Sequence, residues 1–184
     1  MSYNYRDFIK VSNEVFVANN PLVTLDQKHI DFLKKQMDKS NRKRARICAH
    51  TSIGDSLHEM LIAISSKSYI HPHKHQQKVE SYHVIEGDLD VVMFDDIGNI
   101  LDVIELGCNS KSNSFFFRFT DSVFHTLHIK GDYAVLHEVT NGPFIPENTI
   151  LAPFSPDESQ RDEVLIYTEN LTRRVKEFIV KRIK

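Results

Sequence analysis

The alternation of hydrophobic and polar positions changes period twice along the chain. VSNEVFVAN (Val11–Asn19) alternates with the two-residue period of a strand. It is stopped at Pro21, which has no main-chain N–H for a ladder. Leu25, Ile30, Leu33 and Met37 then recur at helical spacing, so an amphipathic helix is expected over Leu25–Lys39, with Thr24 and Gln27 as its capping box. SNRKRAR (Ser40–Arg46) ends it with a cluster of cations, which a helix C terminus favours. From about Thr51 the period is that of strands: Leu57–Ile64, Ser81–Asp95, Asn99–Leu106, Ser114–Phe119, Phe124–Ile129 and Tyr133–Val139 are rich in β-branched and aromatic residues. DDIGN, GCNSKSN, KGD and NGP supply turns between them. Such a run, with no helix between strands, predicts an antiparallel all-β barrel or jelly roll rather than an α/β fold. After Pro156 the period lengthens again. Leu165, Leu171, Val175, Phe178 and Ile179 predict one or two C-terminal helices whose interleaved charges suit a solvated face.

These shifts divide the chain into an N-terminal strand and helix extension (1–50), a β-barrel core (51–156) and a helical tail (157–184), all within one domain's length of 184 residues. A hydrophobic content of 41% supplies a core. The net charge of −2 gives no electrostatic ground for binding nucleic acid or an anionic membrane. MSYNYRDFIKVSNEVF lacks the apolar stretch of a signal peptide, and two cysteines are too few for a disulfide framework. A cytoplasmic protein with reduced cysteines is therefore expected, and the reading leaves room for a homodimer. Gly-rich phosphate loops, GxSxG elbows and paired CxxC motifs are absent from the sequence.

Candidate chemistry concentrates in HPHKHQQKVESYHVIEG (His71–Gly87). His73 and His75, two residues apart on an extended chain, point to one side. Glu80 reaches that side only if KHQQK turns the chain, and Gly87 stands where a hairpin would close. Two imidazoles and a carboxylate gathered this way are ordinary ligands of a first-row transition metal. A fourth ligand should come from a distant strand. His125 and His128 both qualify, but three residues apart they face opposite ways, so only one points inward. His71 is expected near the mouth and His83 outside.

The pattern HxH-x4-E-x6-G, filled by His73, His75, Glu80 and Gly87, resembles the first cupin motif, and His125 resembles the histidine of the second. Lys67 stands near the place of the usual upstream glycine, and Thr120 and Ser122 replace the second motif's Pro-x-Gly. SNRKRARICAH, SYIHPHKH, ESYHVIEG, FDDIGNI, VFHTLHI, HEVTNGPF and LAPFSP are further similar, in consistent order, to the WbuC-type cupin fold metalloproteins. The resemblance implies a cupin double-stranded β-helix with a helical extension and tail. It also implies one divalent metal (Fe, Mn, Ni, Zn or Cu) on His73, His75, Glu80 and His125. Family members are often encoded among bacterial surface-polysaccharide (O-antigen) genes. An isomerase- or epimerase-like enzyme acting on a sugar or sugar-nucleotide is therefore expected; the competing expectations are an Fe(II) dioxygenase-type cupin and a non-enzymatic ligand-binding or sensory cupin.

The resemblance also picks out Arg42, Arg44 and His50. In an extended segment these residues share a face, giving two cations and an imidazole suited to an anionic or sugar-derived ligand, with His50 to move a proton. Arg46 is expected at the surface. Glu138 is expected to bind substrate or to hydrogen-bond a ligand imidazole, Tyr69 and Phe154 to shape the pocket wall, and Cys48 to be a small core residue.

Overall fold

The computed structural model describes residues 8–108 and 114–183, so residues 1–7 and most of the GCNSKSN turn lie outside it. Ten strands and two helices are formed among the described residues. In chain order they are β1 (Phe8–Lys10), β2 (Val15–Ala18), α1 (Gln27–Lys39), β3 (Arg44–Cys48), β4 (Leu57–Ser65) and β5 (His73–His75). Then follow β6 (Glu80–Phe94), β7 (Ile100–Gly107), β8 (Phe116–Phe119), β9 (Phe124–Asn141), β10 (Thr149–Leu151) and α2 (Arg161–Ile183).

The two long strands organise the sheet. The first half of β6 pairs with β8 and with the second half of β9; its second half pairs with β7 and with the first half of β9. β4 continues the layer beyond β9 from Leu57↔Asn141 to Ser65↔Tyr133, and β3 and β2 follow it. Because both halves of β9 keep the same partner, the chain bends where a turn was expected at KGD: Gly131 (φ +67°) lies inside one continuous strand. Gly87 likewise bends β6 rather than closing a hairpin. Its φ is +76°, and a side chain there would run into the main-chain carbonyl oxygen of Tyr133.

LHEMLIAI is apolar at nearly every position because both of its faces are covered. Met60, Ile62 and Ile64 join Tyr82, Val84, Leu89, Val91, Ile129 and Leu136 in the core between the two layers. Leu61 and Ala63 face the other way, against Ile30, Leu33 and Met37 of α1. The outer face of the opposite layer, with Val92, Phe94, Val103 and Phe124, is covered by Leu171 and Val175 of α2.

The helices differ in detail from expectation. α1 starts after Asp26, whose carboxylate accepts from the Lys28 N–H at 3.0 Å; His29, not Gln27, is the reciprocal capping residue. A carboxylate two residues later serves the free N–H groups better than the Thr24 hydroxyl would. α2 is one helix, and Leu165, expected on its apolar face, is 64% exposed.

Candidate metal centre

The short strand β5 places the histidines. It lies between β9 and β10, with His73 directly opposite His125 and His75 opposite Thr149. Odd-numbered residues of β9's first half, His125, Leu127 and Ile129, face the core, so His125 points inward while His128 points out toward α2. The turn expected at KHQQK is present, with Gln77 at φ +55°, and it delivers Glu80 to the start of β6. Glu80 and His125 are buried, at 2% and 1% exposure.

Ring nitrogens of His73, His75 and His125 all lie within 4.8 Å of one another, a grouping that can hold a metal ion. Glu80 joins them, with Oε1 3.3 Å from Nε2 of His75 and Oε2 3.2 Å from Nε2 of His125. The far side of each ring is anchored. Nδ1 of His73 is 2.8 Å from the His71 carbonyl, Nδ1 of His125 is 3.0 Å from the Val123 carbonyl, and Nδ1 of His75 is 3.0 Å from Thr149 Oγ1. A carbonyl can only accept, so it holds the proton on Nδ1 and leaves Nε2 as a free lone pair.

The electrostatics agree. Burial, with help from His125 and His75, pushes His73 down to about 3, so it is a neutral donor at ordinary pH. Burial acts to raise Glu80, but contact with His125 and His75 more than offsets it and holds the carboxyl below the usual range. Oε2 of Glu80 is nevertheless buried without an aligned hydrogen-bond donor. A buried carboxylate oxygen without a donor, beside three imidazoles of which His73 is held neutral, fits a cation at the centre of the group.

Other expected site residues divide into two groups. His50 stacks on His58, with ring centroids 4.1 Å apart and planes at 7°. His58 is opposite Thr140, which is opposite Glu80, so the stacked pair belongs to the same row of the inner face as the carboxylate. Burial first, then His58, lowers the pKa of His50. Glu138 also faces inward, between Met60 and Tyr82, and burial followed by the charge of Glu80 raises it to about 7. It is not the partner of any ligand imidazole; two carbonyls and Thr149 occupy those positions.

Arg42, Arg44 and Tyr69 are elsewhere. Arg44 is paired with Ile64, six residues from His58 along β4, which at ~3.3 Å per residue is roughly 20 Å from the Glu80 row. Arg42 grips Glu158 through Nε (2.7 Å) and Nη2 (2.6 Å), and Arg44 donates to the Tyr69 carbonyl at 3.0 Å. Tyr69 donates to the Pro156 carbonyl at 2.8 Å. Lys43, at φ +56°, interrupts the extended run between Arg42 and Arg44, and the two arginines meet on the Glu158 carboxylate rather than over the metal centre. His71 supplies a carbonyl to His73 and turns its ring to Ala152 rather than to the mouth, and exposed His83 lies outside. Phe154 packs on Phe94 and Phe124 under α2. Cys48 is buried core, and burial raises its thiol.

Two more cations have charges that bear on the Glu80 row, and one of them, Arg46, is exposed as expected. Arg46 is paired with Ile62 and shares the inner-facing parity of Cys48; its charge acts on Cys48, His50 and Glu138. Lys78, with Gln76, Asn141 and Phe144, borders a cleft of about 30 Å3 beside His75.

A family model described as "Domain of unknown function (DUF6016)" matches residues 25–106. No curated protein matches the chain. Among solved structures, protein SO0799 from Shewanella oneidensis is 12% identical, with 84% of this chain and 96% of that one covered and a TM-score of 0.54. L-ribose isomerase of Cellulomonas parahominis aligns at 13% identity over 59% of this chain and 69% of its own, TM-score 0.47. Oxalate decarboxylase of Bacillus subtilis aligns at 16% over 59% of this chain and only 27% of its own, TM-score 0.42. The chain shares its fold with protein SO0799. At this identity the likeness is one of fold alone, and the protein's chemistry has to be argued from its own residues. Among the described residues no helix is long and apolar enough to cross a membrane.

Proposed function

We propose that His73, His75, Glu80 and His125 hold one divalent transition metal, and that the protein is an isomerase- or epimerase-like enzyme for a small sugar-derived molecule. The observation that carries the metal reading is the convergence of three Nε2 atoms, each ring fixed from behind at Nδ1, on a buried carboxylate. The sugar reading, and a place in bacterial surface-polysaccharide (O-antigen) synthesis, rest on the WbuC-type resemblance carried by SYIHPHKH, ESYHVIEG and HEVTNGPF. Two free cysteines, Cys48 and Cys108, suit the reducing cytoplasm this role implies.

A bound metal supplies Lewis-acid polarisation of a carbonyl or hydroxyl oxygen. The chain supplies the rest. His50, kept neutral by burial and braced by His58, is the group to take a proton from carbon or oxygen. Glu138, raised to about 7, can give one back. Lys78 and Arg46 replace Arg42 and Arg44 as cations able to steer an anionic ligand.

Elemental analysis of the purified protein should find close to one metal equivalent, and His75→Ala or Glu80→Ala should remove it. With aldoses and sugar phosphates in D2O, proton NMR should show loss of a C–H signal that depends on metal and is abolished in His50→Ala. Full metal occupancy in both ligand variants overturns the site; metal without any C–H exchange overturns the isomerase class.

A further inference from the structure

A second cavity, of about 190 Å3, lies on the outer face of the other layer, between β9, α2 and the segment joining β4 to β5. It shares no wall residue with the metal centre. Half of its wall is hydroxyl: Ser66, Ser68, Tyr69, Thr126, Thr168 and Thr172. The hydrogen-bond accounting there is lopsided. Ser66 donates to the Asp132 carbonyl (3.3 Å), Ser68 to that of Arg42 (2.7 Å) and Tyr69 to that of Pro156 (2.8 Å). Thr126 donates to the Ile70 carbonyl (2.6 Å), Thr168 to that of Val164 (2.8 Å) and Thr172 to that of Thr168 (3.0 Å).

Each hydroxyl has one proton and two lone pairs. Five of the six protons are committed to main-chain carbonyls, and that of Thr172 is shared between the Thr168 carbonyl and Nε2 of His128, so the cavity is offered mainly oxygen lone pairs. His128 adds a fixed polar edge. Its Nδ1 is 3.0 Å from Oδ2 of Asp90, which is 0% exposed, and its Nε2 is turned to the cavity side, 3.2 Å from Thr172 Oγ1. Leu171 supplies an apolar floor beside the Tyr69 ring, the side chains of Ile70, Leu127 and Ile129 packing into the barrel core.

A wall of acceptors calls for a ligand with many donors, which is either a cation or a polyol. The charges decide. No carboxylate lines the cavity, and Asp90 behind His128 is already balanced by Lys130 Nζ at 2.7 Å. A cation would find no counter-charge. The alternation of lone pairs with an aromatic and aliphatic floor instead matches a sugar, whose hydroxyls donate while its C–H face packs on apolar surface. At ~30 Å3 per water the volume equals about six waters, enough for one small polyol.

We propose that this cleft is a binding site for a small neutral polyol or monosaccharide, separate from the metal centre and independent of its chemistry. The test is a titration of the 15N-labelled, metal-loaded protein with glycerol and with D-ribose, followed by NMR, with methylammonium as the cationic control. Shifts should cluster at Ser68, Thr126, Thr168 and Thr172. Thr168→Leu, which fills the cleft from a helix position that tolerates leucine, should weaken binding at least about tenfold. Thr172→Val, which keeps the shape and removes one acceptor, should weaken it about three- to tenfold. Metal content should be unchanged in both variants, and His75→Ala should leave D-ribose binding intact. The proposal is overturned if neither polyol shifts these residues, if methylammonium binds better than both, or if binding survives Thr168→Leu but is lost in His75→Ala. That last pattern would put the sugar in the barrel and favour the metal-site reading alone.

Discussion

Thr149 is the one side chain in the anchoring of the histidines that mutation can remove. His73 and His125 are held at Nδ1 by main-chain carbonyls, which no substitution deletes; His75 is held by Thr149 Oγ1 at 3.0 Å. Thr149→Val conserves shape and takes away only the acceptor. Released, the His75 ring is free to rotate or to move its proton to Nε2, and either change opposes coordination. Losing such a supporting partner costs roughly 10–100-fold in metal affinity, or about 1.4–2.7 kcal/mol. The β5–β10 pairing runs through the main chain and should hold, so the melting temperature of the metal-free protein should move little. The assay is chelator competition with Co(II) or Zn(II) on wild type, Thr149→Val and Thr149→Ser. The serine variant should recover most of the affinity because it restores the oxygen. Equal affinity in wild type and Thr149→Val would refute the reasoning that Nδ1 anchoring orients His75.

Gly87→Ala should destabilise by at least about 2 kcal/mol in urea melts, since the positive φ alone costs ~1–2 kcal/mol and the methyl also meets the Tyr133 carbonyl. Arg42→Ala should cost under about 1 kcal/mol and leave metal content unchanged, because its ion pair with Glu158 is solvent-exposed and remote from the centre. Acid should destabilise the metal-free protein through His73. Its imidazole binds a proton near ~6.5 when unfolded and only near about 3 when folded, so this stability is present above 6.5 and is lost as pH falls toward 3, at up to ~1.4 kcal/mol per pH unit. Glu138, raised from 4.5 to about 7, works oppositely, stabilising below 4.5 and losing that contribution as pH rises through 7. The His73 contribution is therefore read from the difference between wild type and His73→Gln, and equal slopes would refute it.

Local pattern located the strands where burial on alternate faces writes itself into a two-residue period, as in ESYHVIEG; LHEMLIAI, covered on both faces, lacks that period and by periodicity alone reads equally as helix. Opposite facing of His125 and His128 followed from the same geometry. What was not legible depended on partners distant in sequence. KGD reads as a turn, yet both flanks pair with β6, and only that long-range pairing converts the turn into a bend. Arg42 and Arg44 do come together, but on Glu158, which reaches them from the far end of the chain and holds them away from the metal centre. Arg46, expected at the surface, is exposed, although its register gives it the parity of an inward residue.

His125 and Thr126 are neighbours that look in opposite directions, and this makes the protein's chemistry depend on counting. A slip of one residue between β6 and β9 would bury Thr126 in the barrel and turn His125 toward α2. The breaks in the ladder around Gly87 prevent it, because a kinked strand fits its partner in one alignment only. Ion uptake by a refolding chain would then act as a proofreading signal, reporting that two strands separated by the 29 residues between Phe94 and Phe124 have found the right alignment.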